Sequence, residues 1–317
     1  MGPGVMNFRA CRDGDEPAIL RTLNQKPGGE CSLEEWAWLF PQEERGRAIV
    51  VGERDDEIMG VCAGAPVDFI VDGRRWPGVE LRKLAARNPE DSARILRHFI
   101  ETIGISGRFS LTIAPLVREE EELSAFEGAA TVGLSELFRG KPLRGALRRL
   151  LYRAEPARDW EPRLDGLWER VQSSYPVAVV RNADRALRRF AGHPSIRHHR
   201  FLVFPRYSDT AVASAVFVDD GSNCCWLDLL WDHAHPGAIE LLAHISGRLV
   251  AQWGNSGEQL WLAGDKAASS LLMDRGFQQR ALLSPVAALL SITAELDARD
   301  LLDRAYFTAA DVGSFGP

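Results

Sequence analysis

Apolar and polar positions change period along this chain in a fixed order. MNFRACR (6–12) alternates as a strand does, and DGDEPAILRTLNQ continues with helical spacing, Asp13 or Asp15 standing at its N-cap. SLEEWAWLF (32–40) is a second helix, opened by the capping-box pair Ser32 and Glu35. RAIVVGE (47–53) and EIMGVCAGAPVDF (57–69) flank the Asp55-Asp56 turn and predict a hairpin. After VDGRRWPG, the strand VELRKLAA (79–86) runs through an NPED loop into the helix SARILRHFIETIG (92–104), whose Ile95, Leu96, Phe99 and Ile100 form one stripe. RFSLTIAP (108–115) reads as a strand, EEELSAFEGA (120–129) as a helix, and VGLSELFRGKPL (132–143) closes the unit.

The second half repeats the plan. HRFLVFPR (199–206) and AVASAVFVDD (211–220) predict a hairpin, and Gly221-Ser222-Asn223 turns into the strand CCWLDLLWD (224–232). A HAHPG loop leads to the helix AIELLAHISGRLVAQWG (238–254), with Ile239, Leu242, Ile245 and Leu249 on one face. EQLWLAGD (258–265) is a strand, KAASSLLMDRGF (266–277) a helix and turn, and QQRALLSPVAALL the last strand region. Two copies of one unit predict two mixed α/β domains, 1–150 and 160–317, joined near YRAEPARDWEPRLDG (152–166), which is rich in proline and charge.

Composition narrows the class. A chain of 317 residues, 45% hydrophobic and 26% charged, buries a sizeable core as one large domain or two ordinary ones. No apolar run approaches the length of a membrane-spanning helix, and MGPGVMNFRACRDGDE has no apolar leader core, so neither a membrane nor a secretory route is expected. The five cysteines, Cys11, Cys31, Cys62, Cys224 and Cys225, make no CxxC pair; no disulfide frame or metal site is expected, and a reducing cytoplasm fits. A net charge of −6 argues against nucleic acid as partner. The basic segments 139–158 and 181–200 read as solvated helix faces or as partners of acidic groups within the chain, with an RNA or phosphate ligand as the alternative. No Walker loop, dinucleotide fingerprint, HExxH or Gly-x-Ser-x-Gly is present.

The order of elements resembles the GNAT acyltransferase superfamily, twice over. FRACRDGDEPAILRTLN is similar to that family's first strand and helix, SLEEWAWLFP to its second helix, and LLMDRGF (271–277) to its late helix ending in Gly-Phe; the resemblance covers about residues 6 to 292. It implies two tandem domains, each a mixed, mostly antiparallel twisted sheet flanked by helices, with acyl-CoA or acetyl-CoA as donor. In the family, the strand before the central helix holds pantetheine by its backbone, and a loop of the form Arg/Gln-x-x-Gly-x-Gly/Ala points amides at the pyrophosphate. The first copy reads Asn88-Pro89-Glu90-Asp91-Ser92-Ala93, where two carboxylates oppose an anion and suit a helix cap instead. The second reads His233-Ala234-His235-Pro236-Gly237-Ala238, without an acid. The resemblance therefore places the donor along Leu229, Leu230 and Trp231, with His233, His235, Gly237 and Ala238 at the phosphates.

Acyl transfer to an amine needs a base and an acid. Glu80 precedes the first loop, where relatives hold a general base; a structural carboxylate is the alternative. Asp228 interrupts an apolar strand, a costly place unless it is paired or functional, and a hydrogen-bonded anchor between domains is its other reading. His233 and His235 are metal or phosphate ligands or plain loop residues; His198 and His199 suit a surface; Cys224 and Cys225 suit core packing, as do Trp36 and Trp38; Tyr207 and Tyr306 are proton donors or surface groups. The expected function is acyl transfer from acyl-CoA or an acyl carrier protein to an amine or hydroxyl of a small molecule. A Fem-type aminoacyl-tRNA-dependent transferase and a non-catalytic assembly protein of the same fold are the alternatives, and a homodimer is a candidate assembly.

Overall fold

The structure is a computed structural model that describes residues 5–25, 31–41, 48–116, 129–140, 148–280, 286–291, 293 and 295–312. The first half runs β1 (Asn7–Ala10), α1 (Glu16–Leu23), α2 (Leu33–Leu39), β2 (Ala48–Arg54), β3 (Glu57–Val71), β4 (Arg74–Ala86), α3 (Pro89–Ile105), β5 (Leu111–Leu116), β6 (Ala129–Gly133) and β7 (Ser135–Arg139). The second runs β8 (Tyr152–Pro156), α4 (Arg163–Val171), β9 (Val177–Val179), α5 (Ala183–Phe190), β10 (His199–Pro205), β11 (Ala213–Asp219), β12 (Asn223–Trp231), α6 (Pro236–Trp253), β13 (Gly257–Ala263), α7 (Lys266–Met273), β14 (Gln278–Arg280), β15 (Val286–Ser291), α8 (Ala298–Leu302), β16 (Ala305–Thr308) and α9 (Ala309–Val312). The helix expected over 120–129 lies outside the described residues except for Ala129, which opens β6.

The pairings have the same order in both halves. The first sheet reads β1-β2-β3-β4-β5-β15-β6 and the second β8-β10-β11-β12-β13-β7-β14. Every pair is antiparallel except β4 with β5 and β12 with β13. β15, from the second half of the chain, lies between β5 and β6; β7, from the first, lies between β13 and β14. The expected connector is structured as well: 152–156 forms β8, and 163–171 forms α4. A bridge joins the sheets, with β3 antiparallel to β9, β9 parallel to β16, and β16 antiparallel to β13.

Local chemistry explains the helix starts. Ser32 accepts from the Glu35 amide at 3.0 Å, Asn182 from Arg185 at 2.9 Å and Asp265 from Ala268 at 2.8 Å. Asp15 stands at the N-cap of α1 but turns its carboxylate back to Arg9, 2.6 Å away, and to the Arg12 amide. The core is aromatic and aliphatic, with Trp36, Trp226, Trp231, Phe99, Phe204 and Phe307 fully buried, each contributing about 1.5–3 kcal/mol.

Candidate functional site

Two V-shaped openings follow from the parallel pairs. β4 runs beside β5 only from Gly78↔Leu111 to Glu80↔Ile113, and β12 beside β13 only from Asn223↔Gly257 to Trp226↔Leu260. Past those points the strands diverge, and backbone N–H and C=O groups on the inner edge need other partners.

In the second opening the protein supplies those partners itself. Tyr306 is buried and donates its hydroxyl to the Leu229 carbonyl. Tyr175 donates to the Trp231 carbonyl at 3.0 Å and accepts from the Trp231 amide at 3.4 Å. The rings pack at 4.4 Å, and burial drives both phenols far above their ordinary pKa, so they remain donors. Tyr306 is thus neither a surface group nor an exposed proton donor. Two carbonyls of the expected donor segment, those of Leu229 and Trp231, are engaged within the chain, and Leu230 is buried in the core. His233 lies against Trp231 and Tyr175, its Nε2 3.6 Å from Asp265. His235 is the N-cap of α6 without a side-chain cap, its Nδ1 3.2 Å from the Tyr152 hydroxyl, and Gly237 and Ala238 are buried in the first turn.

The first opening has the reverse character. Among the described residues, β4 beyond Glu80 has no strand on its β5 side. The start of α3, however, is closed by its own side chains: Asn88 accepts from the Asp91 amide and donates to the Asp91 carboxylate, both at 2.8 Å. Asp91 also meets Arg54 at 3.3 Å. The acidic loop is a helix cap here, and besides Arg54 the cations near it are Arg87, 3.0 Å from Glu57, and Arg94, 3.9 Å from Asp91, which are 39% and 48% exposed.

The structure links the two carboxylates singled out from sequence. Glu80, 2% exposed, touches Arg82 at 3.6 Å and Arg185 and Arg189 at 3.4 Å each. Burial raises its pKa, but the guanidiniums of Arg189, Arg82 and Arg185 outweigh that and hold it below the ordinary carboxylate value. Arg185 reaches Asp311 at 2.8 Å, Asp311 pairs with Arg181, and Arg181 Nε meets Asp228 Oδ1 at 3.0 Å. Thr308 donates to the same Asp228 oxygen at 2.9 Å. One buried ion chain therefore runs from the point where β4 leaves β5 to the point where β12 leaves β13. Its arginines on α5 come from the basic segment 181–200, whose reading as partners of acids within the chain agrees with this geometry. Asp228 also lines a narrow, mostly apolar cleft under α4 and α5, walled by Leu164, Ala186, Phe190, Leu202, Val216 and Leu230.

The other candidates fall into place. Cys224 and Cys225 are buried, and burial pushes both thiols up, away from nucleophile chemistry. Trp36 is core; Trp38 donates to the Ala191 carbonyl at 2.8 Å and so ties α2 to the second half. His198 is half-buried on the Phe190 carbonyl at 2.9 Å, and Tyr207 is 98% exposed. Of residues 298–312 the sequence singles out only Tyr306, as a proton donor or surface group; Thr308 and Asp311 carry no signal of a site beyond AYFTAAD, an apolar stretch ending in a carboxylate.

No protein-family model and no curated protein matches the sequence. Solved structures match over most of the chain. A GCN5-related N-acetyltransferase from Anabaena variabilis superposes with a TM-score of 0.69 at 12% identity, covering 91% of this chain and 73% of that one. One from Kribbella flavida gives 0.64 at 14% identity, covering 90% and 71%. The N-myristoyltransferase of Saccharomyces cerevisiae, solved with bound myristoyl-CoA, gives 0.58 at 10% identity, covering 98% and 91%. The mixed α/β architecture agrees in all three, and this chain has the fold of the GCN5-related N-acetyltransferases.

Proposed function

We propose that this chain transfers an acyl group from a thioester donor, acyl-CoA or acetyl-CoA, to a small acceptor. The donor arm lies along the inner edge of β4, Leu81 to Ala86, and the acceptor meets the thioester where β4 leaves β5. The observation that carries this reading is the contrast between the two openings: the inner edge of β12 is hydrogen-bonded by Tyr175 and Tyr306, whereas β4 beyond Glu80 has, among the described residues, no strand on its β5 side. The donor supplies the activated acyl carbon; the protein supplies backbone groups for its arm and a site for the acceptor. No glycine cradle faces a pyrophosphate at α3, so Arg87 and Arg94 are the side chains for that charge. Glu80 positions: it fixes Arg185 and Arg189 of α5 at the apex of the first opening.

The test is calorimetric titration with acetyl-CoA, followed by acyl transfer to a panel of amines. Charge reversal of Arg87 and Arg94 together is expected to weaken donor binding, and His235→Glu to leave it unchanged. The opposite pattern puts the donor at α6, as the loop motif implied. No binding of acetyl-CoA by the wild-type chain refutes the enzyme and favours the assembly-protein alternative, for which the internally bonded β12 edge and the capped α3 speak.

A further inference from the structure

We propose that the pocket between β3, β4 and α5, lined by Arg82 and by Arg185, Arg188 and Arg189, binds a carboxylate, and that the acyl acceptor carries this group. Arg82 is the extra residue of a β-bulge, for the register with β3 passes from Gly64↔Leu81 to Ala63↔Lys83. Val79 and Leu81 pack on α3, whereas Glu80 meets α5 and Arg82 meets α2. The Arg82 side chain is 9% exposed. Its one hydrogen bond among the described residues runs from Nη1 to the Leu39 carbonyl at 2.9 Å. Nε is buried without one, and its acid partner Glu80 stays 3.6 Å away. A buried guanidinium with unmet donors is costly, and a carboxylate meets its planar fork with two oxygens at once.

The local charge selects the sign of the ligand. Three guanidiniums surround Glu80, Arg82 at 3.6 Å and Arg185 and Arg189 at 3.4 Å each. Further along the ion chain Arg181 serves Asp228 and Asp311, so four arginines meet three carboxylates and one positive charge is left over. The other charged groups at the pocket are matched: Arg188 with Asp184 at 3.1 Å, Asp68 with Arg75 at 3.6 Å, and Lys83 behind them with Glu35 at 3.2 Å. Burial, together with the charges of Arg189 and Arg185, lowers the Arg82 pKa to about 10 against the pull of Glu80, a repulsion that an anion relieves. Asn182 gives its side-chain oxygen to the Arg185 amide at 2.9 Å, which leaves its Nδ2 as a further donor on the lining. The cavity is about 50 Å³, room for roughly three or four water-sized groups, which accepts the three heavy atoms of a carboxylate. Arg82 stands just past Glu80, where β4 leaves β5, so a carboxylate held here sets the rest of a small acceptor beside the thioester. That the carboxylate belongs to the acyl acceptor rests on the function proposed above; the site itself does not.

The experiment uses the full chain, first without any acyl donor, in chloride-free buffer of low ionic strength. Calorimetry with sodium propionate is expected to give saturable one-to-one binding, with propionamide and n-propylammonium giving none. Arg82→Gln is expected to weaken binding about tenfold or more, circular dichroism confirming the fold. Arg188→Glu, on the partly exposed rim, is expected to weaken it as well. No saturable heat with propionate, propionamide binding as tightly, chloride displacing propionate at equal concentration, or full affinity in both variants overturns the proposal. With acetyl-CoA added, acyl transfer to β-alanine is expected to exceed transfer to β-alaninamide, and equal transfer to both overturns the assignment of the carboxylate to the acceptor. Propionate binding without any acyl transfer upholds the site and removes only the enzymatic reading.

Discussion

Asp311 is the centre of the ion chain, and its removal is the sharpest probe of how the halves are held. It is fully buried, pairs with Arg181 and with Arg185 at 2.8 Å, and accepts from the Thr308 amide at 2.8 Å. Asp311→Asn keeps the shape and the Thr308 bond but deletes the charge. Breaking a buried pair from one side costs about 3–5 kcal/mol, because the remaining ion is uncompensated. Here Arg181 keeps Asp228 and Arg185 keeps Glu80, so the lower end, about 3 kcal/mol, applies. For 317 residues, with an unfolding entropy of about 0.7 kcal/mol/K, that corresponds to a melting temperature lower by roughly 4–5 °C. Urea denaturation followed by tryptophan fluorescence measures it. A loss below about 1 kcal/mol refutes the reasoning, since it means that water already solvates these ions.

His198 is half-buried beside His193, and that burial, then the neighbour's charge, lowers its pKa from the ordinary 6.5 to about 4. The folded state therefore binds the proton more weakly than the unfolded one; stability is complete above pH 6.5 and falls by up to about 3 kcal/mol as pH drops towards 4, a slope that His198→Gln should flatten in urea melts. Gly264 has φ +82°, and a Cβ there would lie 2.1 Å from the Ala305 carbonyl oxygen, so Gly264→Ala should cost more than about 2 kcal/mol and expose β16 to limited proteolysis.

Much of the architecture was legible because each element carries its own local cause. The Ser32 cap, the Asp55-Asp56 turn and the stripe from Ile95 to Ile100 act over a few residues and stand in the structure, while the Glu35 carboxylate expected to complete a capping box turns to Lys83 instead. The duplicated order was readable for the same reason. Four elements near the middle were not separated: β8, α4, β9 and α5 lie in stretches whose proline and arginine content resembles a connector. Their arginines are buried only because carboxylates from distant segments arrive, Glu80 and Asp311 lying 105 and 126 residues from Arg185. The candidate site divides likewise. Asp228 stood out as an acid in an apolar strand and Glu80 by its place before the first loop, and both belong to one network. The partners of the β12 edge were not legible as such: Tyr175 did not stand out, and Tyr306 did so only as a proton donor or surface group, because long-range packing alone brings both to that edge.

The exchange of β7 and β15 has a consequence for anyone cutting this protein. Each sheet receives an interior ribbon encoded on the other side of the chain's midpoint. A piece ending between Gly140 and Arg148 would lose β15, leaving β5 and β6 with bare, sticky margins. Neither product should stay monomeric alone, whereas the two made together should clasp and reconstitute the whole.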